Sequence, residues 1–578
     1  MHKHKLKIFT KENDIFSLHK EDLEMNDFKK STVYQIYPKS FKDSNGDGIG
    51  DLRGVIEKLD YLKELGIDYI WLTPFYISPQ KDNGYDIADY YNVDPRFGTM
   101  EDFEQLACEA EKRGIKLMLD MVFNHTSTEH QWFKNAMVGD EKYKNFYIFK
   151  KGKEEDNSAP TNWVSKFGGN AWEYVEKFDE YYLHLFDKTQ GDLNWENEEV
   201  RNEIYKVVNF WIDKGVKGFR LDVINLISKP EIFEDDNEGD GKRFYTDGPK
   251  IHEFLKELNK NTFGKYDDII TVGEMSSTTI DNCIRYTNPD EKELSMVFNF
   301  HHLKVDYENG QKWTLMDFDF MELKKLFKEW QKGMEEGDGW NAVFWCNHDQ
   351  PRIVSRFGDC DRFHEESAKM LATSIHLLRG TPYVYQGEEF GMPNPGFTSI
   401  EQYRDVEAVN YFNILKEEGV EEEKILEILR SKSRDNGRTP VQWNADKNAG
   451  FSTGEPWIPV GNSYESINAE AALKNEDSIF YYYKKLINLR KEYDVISHGS
   501  IDMILEEHNK VFGFTRTHEN VMLVVLNNFY GENTEVVLED ELLQGNSRIL
   551  ISNYKDSMEL GKNISLRPYE SVAYIIEK

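Results

Sequence analysis

The chain has 578 residues, 39% hydrophobic and 14% aromatic, enough for one large domain with smaller ones attached, and global disorder is excluded. Its net charge of −33 has the wrong sign for nucleic acid or an anionic membrane surface and describes a self-repelling exterior. No run approaches the roughly 18 uninterrupted apolar residues that cross a bilayer, so neither membrane nor nucleic acid is an expected partner, and a monomer is expected.

Residues 1–28 start with basic residues but lack the apolar stretch of about 7–15 residues that export requires. They are read as a loosely attached extension. The four cysteines, Cys108, Cys283, Cys346 and Cys360, have neither metal-ligand spacing nor disulfide density, which points to a reducing, cytoplasmic setting. Eight apolar strand-like runs follow: 33–38, 69–76, 116–124, 218–225, 269–275, 295–302, 343–349 and 381–389. Helical periods lie between them, as in Phe103, Leu106, Ala107 and Ala110, and again in Val200, Ile204, Val207, Val208 and Trp211. Strand–helix alternation repeated eight times predicts an α/β fold, a (β/α)8 barrel, spanning 29–125 and 193–497. The long gap after the third strand predicts an inserted domain over the barrel mouth, 126–192, rich in aromatic residues and glycine (NWVSKFGGNAWEY, 162–174). A second long excursion covers 390–460. From 498 to 578 apolar residues alternate with period two, predicting a C-terminal antiparallel β domain.

Four of the strand-like runs end in ionisable groups: DMVFNH (120–125), GFRLD (218–222), VGE (272–274) and FWCNHD (344–349). Barrel strands deliver such groups to a common mouth from their C-terminal ends. Arg220 and Asp222 are two apart and project to one side of a strand. The arginine should keep the acid ionised, as a nucleophile toward a sugar carbon must be. Glu274, at a water-poor strand end, is expected to have a raised pKa, which suits a group that donates and later removes a proton. A nucleophilic carboxylate with an acid/base carboxylate about 5–5.5 Å away is the retaining glycosidase arrangement. Asp349 and His348 could hold sugar hydroxyls. In DSNGDGIGD (43–51) oxygen-bearing side chains alternate along a glycine-rich curl, which suits a structural Ca²⁺, although the bidentate glutamate of an EF-hand loop is absent.

These segments in this order resemble the α-amylase superfamily of retaining glycoside hydrolases. GDLNWEN (191–197) resembles the superfamily's additional motif before the fourth strand, and QIYPKSF, DNGYDI (82–87) and SRDNGRTPVQW (433–443) narrow the likeness to its oligo-1,6-glucosidase-like branch over roughly residues 30–578. The resemblance implies Asp222 as nucleophile, Glu274 as acid/base and Asp349 as transition-state stabiliser. Asp82, Tyr85, His125, Arg220, His348 and Arg438 would line the glucosyl pocket, with Phe167 and Tyr85 as aromatic walls. It also implies Ca²⁺ held by Asp43, Asn45, Asp47, Asp51 and the Ile49 carbonyl, with no cofactor in the chemistry.

Three further stretches, DGKRFYTDGP (240–249), ELSMVFNFHHLKVDYENGQKW (293–313) and FWCNHDQPRIVSRFGD (344–359), resemble the phospho-α-(1,1)-glucosidases of the branch. The implied substrate is the phosphorylated disaccharide α,α-trehalose 6-phosphate. His301, His302, Lys304 and Lys312 are the candidate phosphate ligands, although Asp306 and Glu308 leave their segment without net positive charge unless histidines are protonated. An oligo-1,6-glucosidase or neutral α-glucosidase without a phosphate clamp is the nearest alternative, and a transglycosylase shares the same acids. A non-catalytic barrel scaffold disagrees with the presence of all three acids.

Overall fold

The computed structural model describes residues 27–578. The expected N-terminal extension therefore lies outside the described residues except for its last two. Phe28 packs edge-on against Trp340, ring centroids 6.2 Å apart, and its carbonyl accepts a hydrogen bond from Thr381 Oγ1.

All eight runs contribute a parallel strand to one barrel: β1 (Val33–Ile36), β2 (Tyr69–Leu72), β3 (Lys116–Val122), β4 (Gly218–Asp222), β5 (Ile270–Glu274), β6 (Met296–Phe298), β7 (Ala342–Val343) and β8 (Thr381–Tyr385). Neighbours pair in chain order from β1 to β6, β7 pairs with β8, and β8 returns to β1. The circle closes between β6 and β7 through a parallel bridge, Val297 to Asn341. The residues of β1, β2, β4 and β8 are buried throughout, as expected for strands with the barrel interior on one side and helices on the other. The ladders are shorter than the apolar runs that signalled them. The run at 343–349 supplies only one ladder residue, Val343, because Phe344–Asn347 stay buried while the chain has already turned into the mouth. Hydrophobicity reports burial, and at this rim burial outlasts strand pairing.

The two helical periods form helices Met100–Glu111, with a Thr99–Asp102 capping box, and Glu198–Asp213. Between β3 and β4 lie a three-stranded antiparallel sheet (Phe149–Lys150, Glu180–Leu183, Trp172–Val175) and a strand pair, His125–Ser127 with Gln190–Asp192. Their core of Trp163, Trp172, Leu183 and Leu185 packs directly on Val223, Leu226 and Tyr245. The insertion is thus seated on the loop that follows β4, which brings Lys166 and Phe167 to the barrel mouth. The excursion after β8 forms helices Val406–Glu417 and Glu422–Lys432, packed around Trp313, Phe397 and Tyr403, and leads into a short helix, Asp435–Arg438. Beyond Ser500 a five-stranded antiparallel sheet and a two-stranded one complete the chain. Among the described residues no helix is long and apolar enough to cross a membrane.

Candidate active site

β3, β4 and β5 place three carboxylates around one guanidinium. Arg220, 1% exposed, donates through Nη1 to Asp222 Oδ1 at 2.6 Å and to Asp120 Oδ1 at 2.7 Å, and through Nη2 to Glu274 Oε2 at 2.6 Å. Arg220 and Asp120 are register partners across β3 and β4, so the strand pairing itself sets this contact. Asp222 and Glu274 are the last residues of β4 and β5. They share the two terminal nitrogens of one guanidinium, Nη1 on Asp222 and Nη2 on Glu274.

This arrangement corrects the expectation that Arg220 keeps Asp222 ionised. Its charge is divided among three acids in a dry site. Burial pushes the Asp222 carboxyl well above the usual carboxylate range; Arg220 opposes that, while the neighbouring Glu274 and Asp120 reinforce it. Burial also pushes Asp120 up, against Arg220 and the Tyr85 hydroxyl. One positive charge among three buried acids favours retention of a proton within the cluster, and such acids titrate as a unit.

The chain leaves β4 through Val223, at φ 36° in the left-handed region, a strained conformation for a β-branched residue. That turn aims the Val223 N–H at Glu274 Oε2, 3.2 Å away. Glu274 therefore accepts from both Arg220 and a backbone amide.

Asp349, on the loop after β7, has 31% of its side chain exposed and faces the cavity. Arg438 Nη2 lies 2.6 Å and Arg434 Nη1 3.4 Å from its Oδ1. Burial works against its ionisation, but His348, Arg434 and Arg438 hold its carboxyl well below the usual range. Burial pushes His348 down to about 3, so it is neutral near pH 7 and the two arginines account for the effect. Gln35 Nε2 donates to His348 Nδ1 at 2.8 Å, which leaves the proton of the neutral ring on Nε2. That N–H lies 3.4 Å from Asp349 Oδ2 and has no hydrogen bond within the protein among the described residues, so it is available to a sugar hydroxyl.

The other predicted pocket residues gather nearby. Tyr85 donates to Asp120 Oδ2 at 3.0 Å, and its ring stacks on His348 with centroids 5.2 Å apart. At 8% exposure it is a buried wall, not an open platform. Gln190 Nε2 donates to Asp82 Oδ2 at 3.0 Å, and burial pushes Asp82 up to about 7 despite Arg434 and Arg438. His125, which burial pushes down to about 4, has Nε2 within 3.1 Å of the Tyr85 carbonyl. Phe167 stands at the rim under the Arg434 guanidinium, 5.5 Å from the ring centroid.

A cavity of about 270 Å³ opens beside Glu274 and Asp349 and is lined also by Lys166, His301, Lys304 and Arg434. Of the four candidate phosphate ligands, His301, Lys304 and Lys312 reach it and His302 does not. His302 Nε2 bonds to the Phe344 carbonyl at 2.9 Å and its ring packs among Phe327, Phe344 and Trp345. Burial lowers His301 and His302 to about 4 each, so neither supplies the positive charge that the segment lacks. Lys312 is paired with Glu407 at 2.7 Å.

Several site residues escaped the sequence reading. Arg434 lies one helical turn before Arg438 and also touches Asp405, at 2.6 Å; its position inside SRDNGR was the available signal. Asp120 opens the segment DMVFNH, where nothing local marks it as a partner of Arg220. Gln35, Gln190 and Lys166 carry no local signal of the contacts they make across the fold.

In the loop 43–51, Asp43 accepts from the amides of Asn45, Gly46 and Gly48 and from Ser452 Oγ. Asn45 and Asp47 accept from the amides two residues on, a run of Asx-turns. Gly48, at φ +90°, approaches Glu455 so closely that a Cβ would lie 1.8 Å from its carbonyl oxygen. Asp51 caps the next helix through Gly54 N–H. The side chains are of the type a hard cation takes, but their carboxylates do not converge: among the described residues no three His, Cys, Asp or Glu side chains are placed to hold a metal ion.

The fold and acids define a class. Residues 35–499 match the model of the α-amylase catalytic domain and 511–573 that of the SusG-type α-amylase C-terminal domain, and the chain belongs to the α-amylase family of glycoside hydrolases. Within it, the chain is 57% identical to trehalose-6-phosphate hydrolase of Bacillus subtilis, over 95% of this chain and 98% of that one. It is 50% identical to oligo-1,6-glucosidase of Parageobacillus thermoglucosidasius, over 95% and 99%. The solved trehalose-6-phosphate hydrolase of Bacillus licheniformis superposes with a TM-score of 0.93 at 60% identity, covering 95% of this chain and all of that one.

Proposed function

We propose that the protein hydrolyses α,α-trehalose 6-phosphate to glucose and glucose 6-phosphate with retention at the attacked carbon. The carrying observation is that Asp222 and Glu274 share one guanidinium beside a cavity furnished with lysines. Asp222 attacks C1 of the unphosphorylated glucosyl unit while Glu274 gives its proton to the bridging oxygen, releasing glucose 6-phosphate. Glu274 then takes a proton from water, whose oxygen attacks C1, and the ester to Asp222 breaks to release glucose. As electrons move, the negative charge passes from Asp222 to Glu274, and Arg220 contacts both, so its stabilisation follows the charge. Asp349, fixed by two arginines, and the His348 Nε2–H hold hydroxyls of the distorted ring. Asp82, Tyr85, His125 and Arg438 complete the glucosyl pocket, and Phe167 walls its rim. No step needs a cofactor.

The test compares kcat/KM on trehalose 6-phosphate, isomaltose, trehalose and p-nitrophenyl α-glucoside. A preference for isomaltose would move the assignment to oligo-1,6-glucosidase while leaving the acids in place. We further propose a monomeric, cytoplasmic enzyme, supported by four unpaired cysteines and by a phosphorylated substrate. We also propose that Ca²⁺ orders the loop 43–51 without entering the chemistry, through Asn45, Asp47 and the Ile49 carbonyl with Asp43 and Asp51. The alternate oxygen side chains support this; the full engagement of Asp43 with protein donors makes chelation the necessary test.

A further inference from the structure

We propose that Lys166, from the segment inserted between β3 and β4, pairs with Lys304 beyond β6 to hold the 6-phosphate of the leaving sugar. Phosphate specificity is then set by the seating of the insertion on the barrel mouth as well as by the residues around 301–312. The inference rests on the trehalose 6-phosphate reading above and adds the residue that enforces it.

Position is the first argument. Lys166 and Lys304 line the cavity that also contains Glu274. The group that Glu274 protonates belongs to the leaving sugar, so this cavity is where that sugar must lie. Lys166 is also held in place: Nζ donates to Ser276 Oγ at 3.0 Å, two residues past the acid/base glutamate, and sits 5.7 Å from the Tyr245 ring centroid. Its amide donates to the Leu185 carbonyl, which ties its backbone to the core of the insertion. Holding the ammonium beforehand lowers the entropy lost when a ligand arrives.

Charge is the second. The neighbouring cations are neutralised, Lys312 by Glu407 at 2.7 Å and Lys242 by Asp240 at 2.5 Å. Among the described residues neither Lys166 nor Lys304 forms an ion pair with a carboxylate. Burial weighs most against the Lys166 ammonium, Lys242 and Lys304 add to that as like charges, and Asp240 and Glu274 oppose them. Asp349, the other carboxylate at the cavity, is already engaged by Arg434 and Arg438. Two cations left uncompensated in one recess of a chain with net charge −33 form a local donor set for a dianion. His301, neutral and with a buried Nδ1 lacking a protein partner, offers an uncharged contact beside them.

The experiment compares wild type with Lys166→Met, Lys166→Arg and Lys304→Met on trehalose 6-phosphate and on p-nitrophenyl α-glucoside. For Lys166→Met the ratio of the two kcat/KM values falls by about tenfold or more, mainly through KM, as loss of a charge-assisted hydrogen bond requires. Lys166→Arg regains most of the ratio, and Lys304→Met loses it in the same direction. An unchanged ratio in Lys166→Met overturns the inference, whether the two activities stay at wild-type level or fall together. A wild-type enzyme that does not favour the phosphorylated substrate is a different result, and it removes the functional reading first.

Discussion

Arg220 contacts Glu274 through Nη2 at 2.6 Å while its Nη1 holds Asp222 at the same distance. The proposed nucleophile and acid/base are thereby coupled through one planar group, which a lysine cannot reproduce. Arg220→Lys should lower kcat/KM by roughly 10²–10³-fold, the size of losing a preorganised electrostatic donor. Its bell-shaped pH profile should also shift, because the cluster shares its protons through that group. An unchanged profile with a large rate loss would mean that Arg220 only positions the acids.

Asp222→Asn should reduce turnover by about 10⁴-fold or more, in line with removal of a catalytic nucleophile or its partners. Folding should not suffer. Since burial raises the Asp222 carboxyl, its ionised form opposes folding near neutrality, and a neutral isostere relieves this. Thermal unfolding at pH 7 should give a Tm equal to or above that of wild type; near-normal turnover would refute the nucleophile assignment.

Asp82, which burial pushes up to about 7, carries a stability consequence with a definite sign. A carboxyl whose folded pKa exceeds its unfolded value contributes stability below about 4 that is lost as pH rises through about 7. Asp82→Asn has no such dependence. The Tm difference, variant minus wild type, should therefore grow between pH 4 and 8, and a constant difference would show that the carboxyl is ionised throughout.

Lys166 is pushed down to about 8, by burial first and then by Lys242 and Lys304. Its ammonium is present below that pH and lost above it. The KM for trehalose 6-phosphate should rise as pH passes about 8, and the limb should be absent for p-nitrophenyl α-glucoside. Parallel limbs for the two substrates would place the titration in the acid cluster.

If Ca²⁺ occupies the loop 43–51, exhaustive chelation should lower Tm by a few degrees, as loss of roughly 1–2 kcal/mol does in a large domain. Added Ca²⁺ should restore it. A Tm indifferent to chelator would mean that the Asx-turns and the contact of Gly48 with Glu455 hold the loop unaided.

Much of this protein follows from local pattern. Apolar runs of strand length, helical periods between them and acids at the run ends suffice for a barrel with Asp222, Glu274 and Asp349 at its mouth, because periodicity and burial are properties of contiguous residues. Charge partnership is not. Arg220 is two positions from Asp222, yet two of its three ion pairs go to Asp120 and Glu274 on other strands. Lys312 looks free in its own segment until Glu407, 95 positions away, closes on it.

His301, His302 and Lys304 stand almost side by side in the chain, but a single 3₁₀ turn sends His302 into the apolar core while His301 and Lys304 face the cavity. Lys166 lay in a stretch whose tryptophans and glycines dominate its composition; only the packing of that stretch on Val223 and Tyr245 turns the lysine toward Glu274. The sequence determined the scaffold and its acids by itself, since hydrophobic burial is encoded residue by residue. Which cations remain uncompensated was decided by tertiary structure alone, because Coulomb energy depends on distances that chain separation does not set.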